Sequence, residues 1–256
     1  NVYGKTRNMS TRHEGMQVIH KGGLSEELDV SAGSYAKAMA GSTLDGVKVY
    51  SRSTLDLEAG MAKADRMKLY GQSNVHLFET DADTTHGQFN MGEVVSGGAN
   101  IYVGEGKSKA GREVTIDSLE GSINFIINTD LTNGVSDHIT VNNVLHPNGS
   151  KLNTVENTVK IGFDPKADLG EAIKGTAPVE FLKADDTVFV TARDNQIGSY
   201  TFIPVIHQEN GSWFVDKIEL SGSSDLARYN AGMLGYNLGL AREGDKAVDN
   251  RLFAIR

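Results

Sequence analysis

Val47-Lys48-Val49-Tyr50-Ser51-Arg52-Ser53-Thr54-Leu55-Asp56-Leu57 holds two apolar-x-apolar triplets joined by a polar link. The unit recurs at Leu28–Val30, Met67–Leu69, Val75–Leu77, Phe89–Met91, Ile101–Val103, Val114–Ile116 and Ile123–Phe125. A period of two sends the apolar side chains of a strand to one face. Two interleaved series can be drawn, one starting at residues 28, 55, 75, 101 and 123, the other at 47, 67, 89 and 114. Strands this thin cannot enclose a core singly, but stacked strand on strand they line one continuous interior. An irregular short repeat of this kind predicts an all-β solenoid, a parallel β-helix. Few adjacent runs are joined by two-residue turns, which weighs against the alternative, an antiparallel sandwich with long loops.

Composition agrees with a turn-rich β protein. The 256 residues include 29 glycines and only four prolines. There is no cysteine, hence no disulfide framework and no thiolate metal site. That suits the cytosol, and equally a chain that must stay unfolded while it crosses an oxidising compartment. A net charge of −8 with no Lys/Arg cluster argues against nucleic acid as a partner. No apolar run is long enough for a simple membrane helix. The chain starts at Asn1 without an apolar signal segment, so a fragment or processed form is expected. Residues 1–23 read as an irregular leader or an incomplete first repeat.

Ile197 to Leu220 is the densest apolar stretch. Two β-rich runs flank Asn210-Gly211, a dipeptide suited to a tight hairpin. Tyr200, Phe202, the lone tryptophan Trp213, and Phe214 cluster there, in a chain with few aromatics. These four are the candidate site residues, as the nucleus of a folding cap. Beyond the linker Ser221-Gly222-Ser223-Ser224, Leu226, Tyr229, Met233, Tyr236 and Leu240 fall at helical spacing. Ala231, Gly235 and Gly239 form a stripe that permits close approach of a neighbouring wall; a flexible tail is the alternative.

Two segments carry a family resemblance. Leu119-Glu-Gly-Ser-Ile-Asn-Phe-Ile-Ile-Asn-Thr-Asp-Leu131, followed by Ser136-Asp-His-Ile-Thr-Val141, resembles the last rungs of autotransporter passenger domains. Pro178–Arg193 and then Ile197–Val215, with Gly198-Ser-Tyr200 and Gly211-Ser-Trp213, are similar to the autochaperone region that ends those passengers. The resemblance covers about 100 residues, 119–220; residues 146–177 depart from it, and Pro165–Lys174 reads as a short helical insertion. It implies a right-handed parallel β-helix over 1–118, last rungs and cap over 119–220, and over 221–256 a linker or helix leading to an outer-membrane barrel of the same precursor. It also implies type V secretion, display on the surface of a Gram-negative-type bacterium, and a non-enzymatic, adhesin-like role in adhesion, auto-aggregation or biofilm. The expected partners are a host or bacterial surface protein or glycan, or another copy of the chain.

Motifs that suggest other chemistry are incomplete. Gly104-Glu-Gly-Lys-Ser108 lacks the first glycine of a phosphate loop, since residue 101 is Ile. Asp81-Ala-Asp-Thr-Thr-His-Gly87 lacks the sixth-position Gly and the final Glu of a calcium loop. The seven histidines show no paired metal spacing, and His76, between Val75 and Leu77, is expected to point outward. No G-x-S-x-G elbow occurs. Asp185-Asp186 reads as a turn, because neighbours on a strand face opposite ways. No cofactor, metal or catalytic residue is therefore expected. Two further readings stay open: a β-helix enzyme acting on polysaccharide, and a structural spacer whose binding region lies upstream.

Overall fold

The computed structural model describes residues 1–61, 63–79, 87–104, 109–145, 156–163, 177–185, 188–197 and 200–223. Among these residues the fold is all-β, with 20 strands hydrogen-bonded into one sheet and no helix. Most pairings are parallel, which corrects the sandwich alternative.

The strands build three rows. In the first, Thr6 pairs with Ser25, and Leu44, Ala64, Met91, Ile116 and Val141 follow in register. The second row takes Met9, Leu28 and Val47, then Met67, Val94, Leu119 and Val144. The third takes Gln17, Ala36, Leu55, Val75, Ile101, Phe125, Val159 and Ala192. Parallel neighbours in a row lie roughly 20–35 residues apart along the chain, so each apolar position meets its equivalents on the adjacent strands. Leu28, Val47, Met67, Val94 and Leu119 all sit at the floor of exposure, as do Leu55, Val75 and Ile101.

Three rows replace the two expected series. Leu28 stands with Val47 rather than Leu55, while Phe89 pairs with Val114, and Val114 in turn with Ile139, in the first row. The reason is chemical: early inner positions of the first row are Ser25 and Ala64, too polar or too small to show as triplets. Residues 1–23 are likewise strands, Lys5–Thr11 and Met16–Ile19, and extend the rows. There the inward side chains Thr11 and Gln17 are polar: the Thr11 hydroxyl donates to Gln17 Oε1 at 3.0 Å, while the buried Gln17 Nε2 has no partner among the described residues.

Left-handed backbone marks the bends. Asn8, Glu27, Gly46 and Arg66 have φ of 52°, 54°, 74° and 47° at equivalent positions between the first and second rows. One residue in that conformation redirects a strand without breaking its ladder. Gln88–Tyr102 and Glu113–Asp130 run as single strands through more than one row, with positive φ at Gly98 and Gly121 instead. The boundary expected at residue 118 falls inside the second of them.

The first row ends differently. Leu182 pairs parallel with Ile139, and the same strand, Val179–Lys183, pairs antiparallel with Trp213 and its neighbours. Tyr200–Glu209 and Ser212–Ser223 are joined through Asn210-Gly211, whose φ values of 49° and 80° fit the expected hairpin turn.

By internal packing the chain divides into two units, Asn1–Arg193 with Pro204–Glu219, and Asp194–Ile203 with Leu220–Arg256. In the second, Asn195–Ile197 pairs antiparallel with residues 200–202, and the Ser221 hydroxyl donates to the Thr201 carbonyl at 3.1 Å. The expected helix over 225–240, both loop motifs and the 165–174 insertion lie outside the described residues.

Candidate ligand groove

Alternation builds the groove. In Val47-Lys48-Val49-Tyr50 and Met67-Lys68-Leu69-Tyr70 the apolar residues are buried, so Lys48, Tyr50, Lys68 and Tyr70 project from the opposite face. Parallel register sets Lys48 beside Lys68 and stacks the tyrosines, with ring centroids 4.6 Å apart and planes within 5°. The following strand supplies Val95 opposite Lys68. At the adjoining bend Glu27, Gly46, Arg66 and Glu93 form a second file. Lys48, Lys68, Val95 and this second file, with Met67, line a groove of about 360 Å³; Tyr50 and Tyr70 lie beside it, two residues along the same face from Lys48 and Lys68.

Its charges are arranged rather than scattered. Arg66 places Nε 2.6 Å from Asp45 and a terminal nitrogen 3.1 Å from Glu27. Asp45 above all, then Glu27, raises the guanidinium pKa. Lys48 lies 3.6 Å from Asp29, whose charge raises the ammonium pKa. A Cβ at Gly46 would crowd both the Glu27 carboxylate and the Arg66 guanidinium, so this position keeps the bend open for the ion pair. Lys68 and Glu93 have no side-chain partner among the described residues. The groove therefore offers one free donor head and one free acceptor head beside an aromatic stack.

A second polar cluster is closed. Asp137, fully buried, accepts the Gly111 and Arg112 amides at 3.0 Å and the Asn128 amide at 2.7 Å. Arg112 donates to the Val103 carbonyl at 3.0 Å and lies 3.5 Å from Glu79. Burial pushes the Asp137 carboxyl up, against the opposing pull of the amides and Arg112. The cluster ties strand ends together; its groups face each other rather than an opening.

The expected cap residues are distributed. Trp213 is 7% exposed, faces Leu182 across the antiparallel pair, and donates from Nε1 to the Val188 carbonyl at 3.2 Å. Phe214 stacks on His207 at 5.2 Å. Both belong to the first unit. Phe202 and Tyr200 belong to the second, their centroids 6.2 Å apart; Phe202 is 3% exposed but Tyr200 is 54% exposed. Tyr200 thus brings little buried area, while Thr201 and Phe202 beside it are both buried.

His76 projects outward between buried Val75 and Leu77, as expected, and stacks on Tyr102 at 4.3 Å. Beside it runs an amide file missed in the sequence: Asn100 donates to Asn74 at 3.0 Å, Asn124 to Asn100 at 3.1 Å, and Thr158 to Asn124 at 2.7 Å. The buried serines Ser34, Ser53 and Ser73, each just before a third-row strand, were also missed. Their signal was legible as Ser-Tyr-Ala, Ser-Thr-Leu and Ser-Asn-Val, each opening an apolar alternation after a turn. Among the described residues no three His, Asp or Glu side chains converge as a metal site. No protein-family model matches the chain, and no curated protein matches it.

Proposed function

We propose that the chain is the C-terminal part of an autotransporter-like passenger, an adhesin-like stalk held at the surface of a Gram-negative-type bacterium. In this reading the three rows wind as a right-handed parallel β-helix. The hairpin around Trp213 is its cap and folding nucleus. The reading is supported chiefly by one observation: parallel rows in register from Thr6 onward give way, at Val179–Lys183, to an antiparallel strand carrying a buried tryptophan. An open parallel edge exposes unpaired backbone groups and an apolar section, and an antiparallel strand laid across it hides both. Right-handed winding follows from the handedness of parallel crossovers.

Early folding of the cap would then template the strands before it. Deletion of residues 178–223 is expected to slow refolding from denaturant severely or abolish it, and adding the excised segment in trans should restore some yield. Refolding of the truncated chain at the parental rate would overturn the cap role. For the adhesin role, cells displaying the chain through an unrelated barrel should sediment or adhere faster than cells displaying the barrel alone. Equal settling and equal adhesion to biofilm surfaces would overturn it.

A further inference from the structure

We infer that the groove beside the Tyr50–Tyr70 stack binds a neutral, hydroxyl-rich oligosaccharide. In this arrangement Tyr70 offers a ring face, Lys68 donates and Glu93 accepts. The inference deepens the adhesin reading by naming a ligand class, and it rests on that reading for its biological meaning.

Three observations carry it. First, Tyr70 has one covered ring face and one open one. Tyr50 stacks on one side. On the other, Ser96 pairs with Leu69, so the residue beside Tyr70 in the next strand is Gly97, which has no side chain. A Cβ at Gly97 would meet only the Gly71 nitrogen at 3.7 Å and the Leu69 carbonyl at 4.0 Å, so space is left there. Tyr70 is 42% exposed. The face of an aromatic ring is electron-rich and attracts the polarised C–H groups of a sugar.

Second, the free polar heads are of both kinds. An ammonium only donates and a carboxylate only accepts, whereas each sugar hydroxyl does both. Lys68 and Glu93, without a side-chain partner among the described residues, line the same groove. A polyol satisfies both at once; a simple anion or cation satisfies one and opposes the other.

Third, the surrounding charge selects against charged chains. Lys48, Arg66 and Lys68 are set among Glu27, Asp29, Asp45 and Glu93, and Arg66 and Lys48 are already committed to carboxylates. A polyanionic glycan therefore gains no net attraction, since like charges brought together suppress the wrong partner. The groove volume of about 360 Å³ sits at the lower end of the small-ligand range of roughly 300–1,000 Å³, which fits a few sugar units rather than a deep enclosure.

The test is titration calorimetry on the full chain with maltotriose, cellotriose and lacto-N-tetraose as neutral probes and trigalacturonate as the acidic one. At least one neutral probe is expected to bind, with Kd in the high-micromolar to millimolar range. Tyr70→Ala should weaken that binding about tenfold or more. Gly97→Leu, which keeps Tyr70 but fills the space over its open face, should weaken it similarly. Lys68→Ala and Glu93→Gln should each weaken it severalfold. These positions are exposed, and unchanged circular dichroism and Tm would show the variants folded. Absence of binding by every neutral probe, tighter binding of trigalacturonate, or neutral binding indifferent to Tyr70→Ala and Gly97→Leu would each overturn the inference. The same variants displayed on cells separate it from the adhesin reading. Adhesion without glycan binding sinks the groove and leaves the adhesin. Glycan binding that depends on Tyr70, without adhesion, does the reverse.

Discussion

Gly121 and Gly134 both have positive φ, 88° and 68°, yet they are not equivalent. A Cβ at Gly121 would overlap the Ser96 carbonyl oxygen, a backbone atom held in the ladder to the preceding strand, whereas one at Gly134 meets nothing within 4 Å. Gly134→Ala should therefore cost only the left-handed strain, about 1–2 kcal/mol. Gly121→Ala should cost clearly more, because the pairing across from Ser96 must also give way. Thermal melts of the two variants check the order, and equal Tm losses would mean that the strand shifts freely at Gly121. Trp213 supports a second comparison. Trp213→Ala removes a buried ring and should cost about 3–5 kcal/mol. Trp213→Phe keeps an aromatic ring but loses the bond to the Val188 carbonyl, about 0.5–1.5 kcal/mol, plus some packing. Chemical denaturation of the pair apportions the indole between packing and hydrogen bonding; an unchanged midpoint for Trp213→Ala would remove the tryptophan from the cap.

At the scale of the element, the first strand is open to pH. Among the described residues Lys5–Thr11 pairs along one edge only, with Leu24–Val30. Glu26 accepts from Lys5 at 2.6 Å and from Arg7, and these two, Lys5 first, hold its carboxyl below the ordinary 4.5. A carboxyl with a depressed folded pKa contributes stability that is fully present above its unfolded value. That contribution is lost as pH falls through the folded value. Amide protection of Lys5–Thr11 should accordingly fall below about pH 4.5, ahead of Leu24–Val30, and Glu26→Gln should abolish the difference. Simultaneous loss of protection in both strands would show that the pairs do not hold the edge. The strand also shows where sequence reading thins out. Its alternation, like that of Met16–Ile19, is hidden because Thr11 and Gln17, inward and hydrogen-bonded to each other, carry no apolar signal. In Leu55–Leu57 and Val75–Leu77 the same geometry was legible, since apolar side chains fill the interior there.

For the whole molecule, the interior stacks rather than the surface charges supply the cohesion. Most ion pairs join side chains that are a third or more exposed, such as Lys63 with Asp117 and Lys217 with Glu219. Exposed pairs of this kind contribute about 0–1 kcal/mol each and are screened by salt. Tm should thus move by only a few degrees, roughly 5 °C at most, between low and molar sodium chloride. A fall of 10 °C or more would assign the stability to charge networks, contrary to the packing. By itself the sequence determined the all-β class, the inward side of most strands and the Asn210-Gly211 turn. Side-chain alternation and turn chemistry act within a few residues, and they survive in any fold the chain could take. Only the tertiary structure decided that the rows are three, that Leu28 stands on Val47, and that Tyr50 stacks on Tyr70 beside Gly97. Those relations join residues about 20 or more positions apart in the chain, where register is set by which side chains fit the shared interior rather than by sequence neighbours.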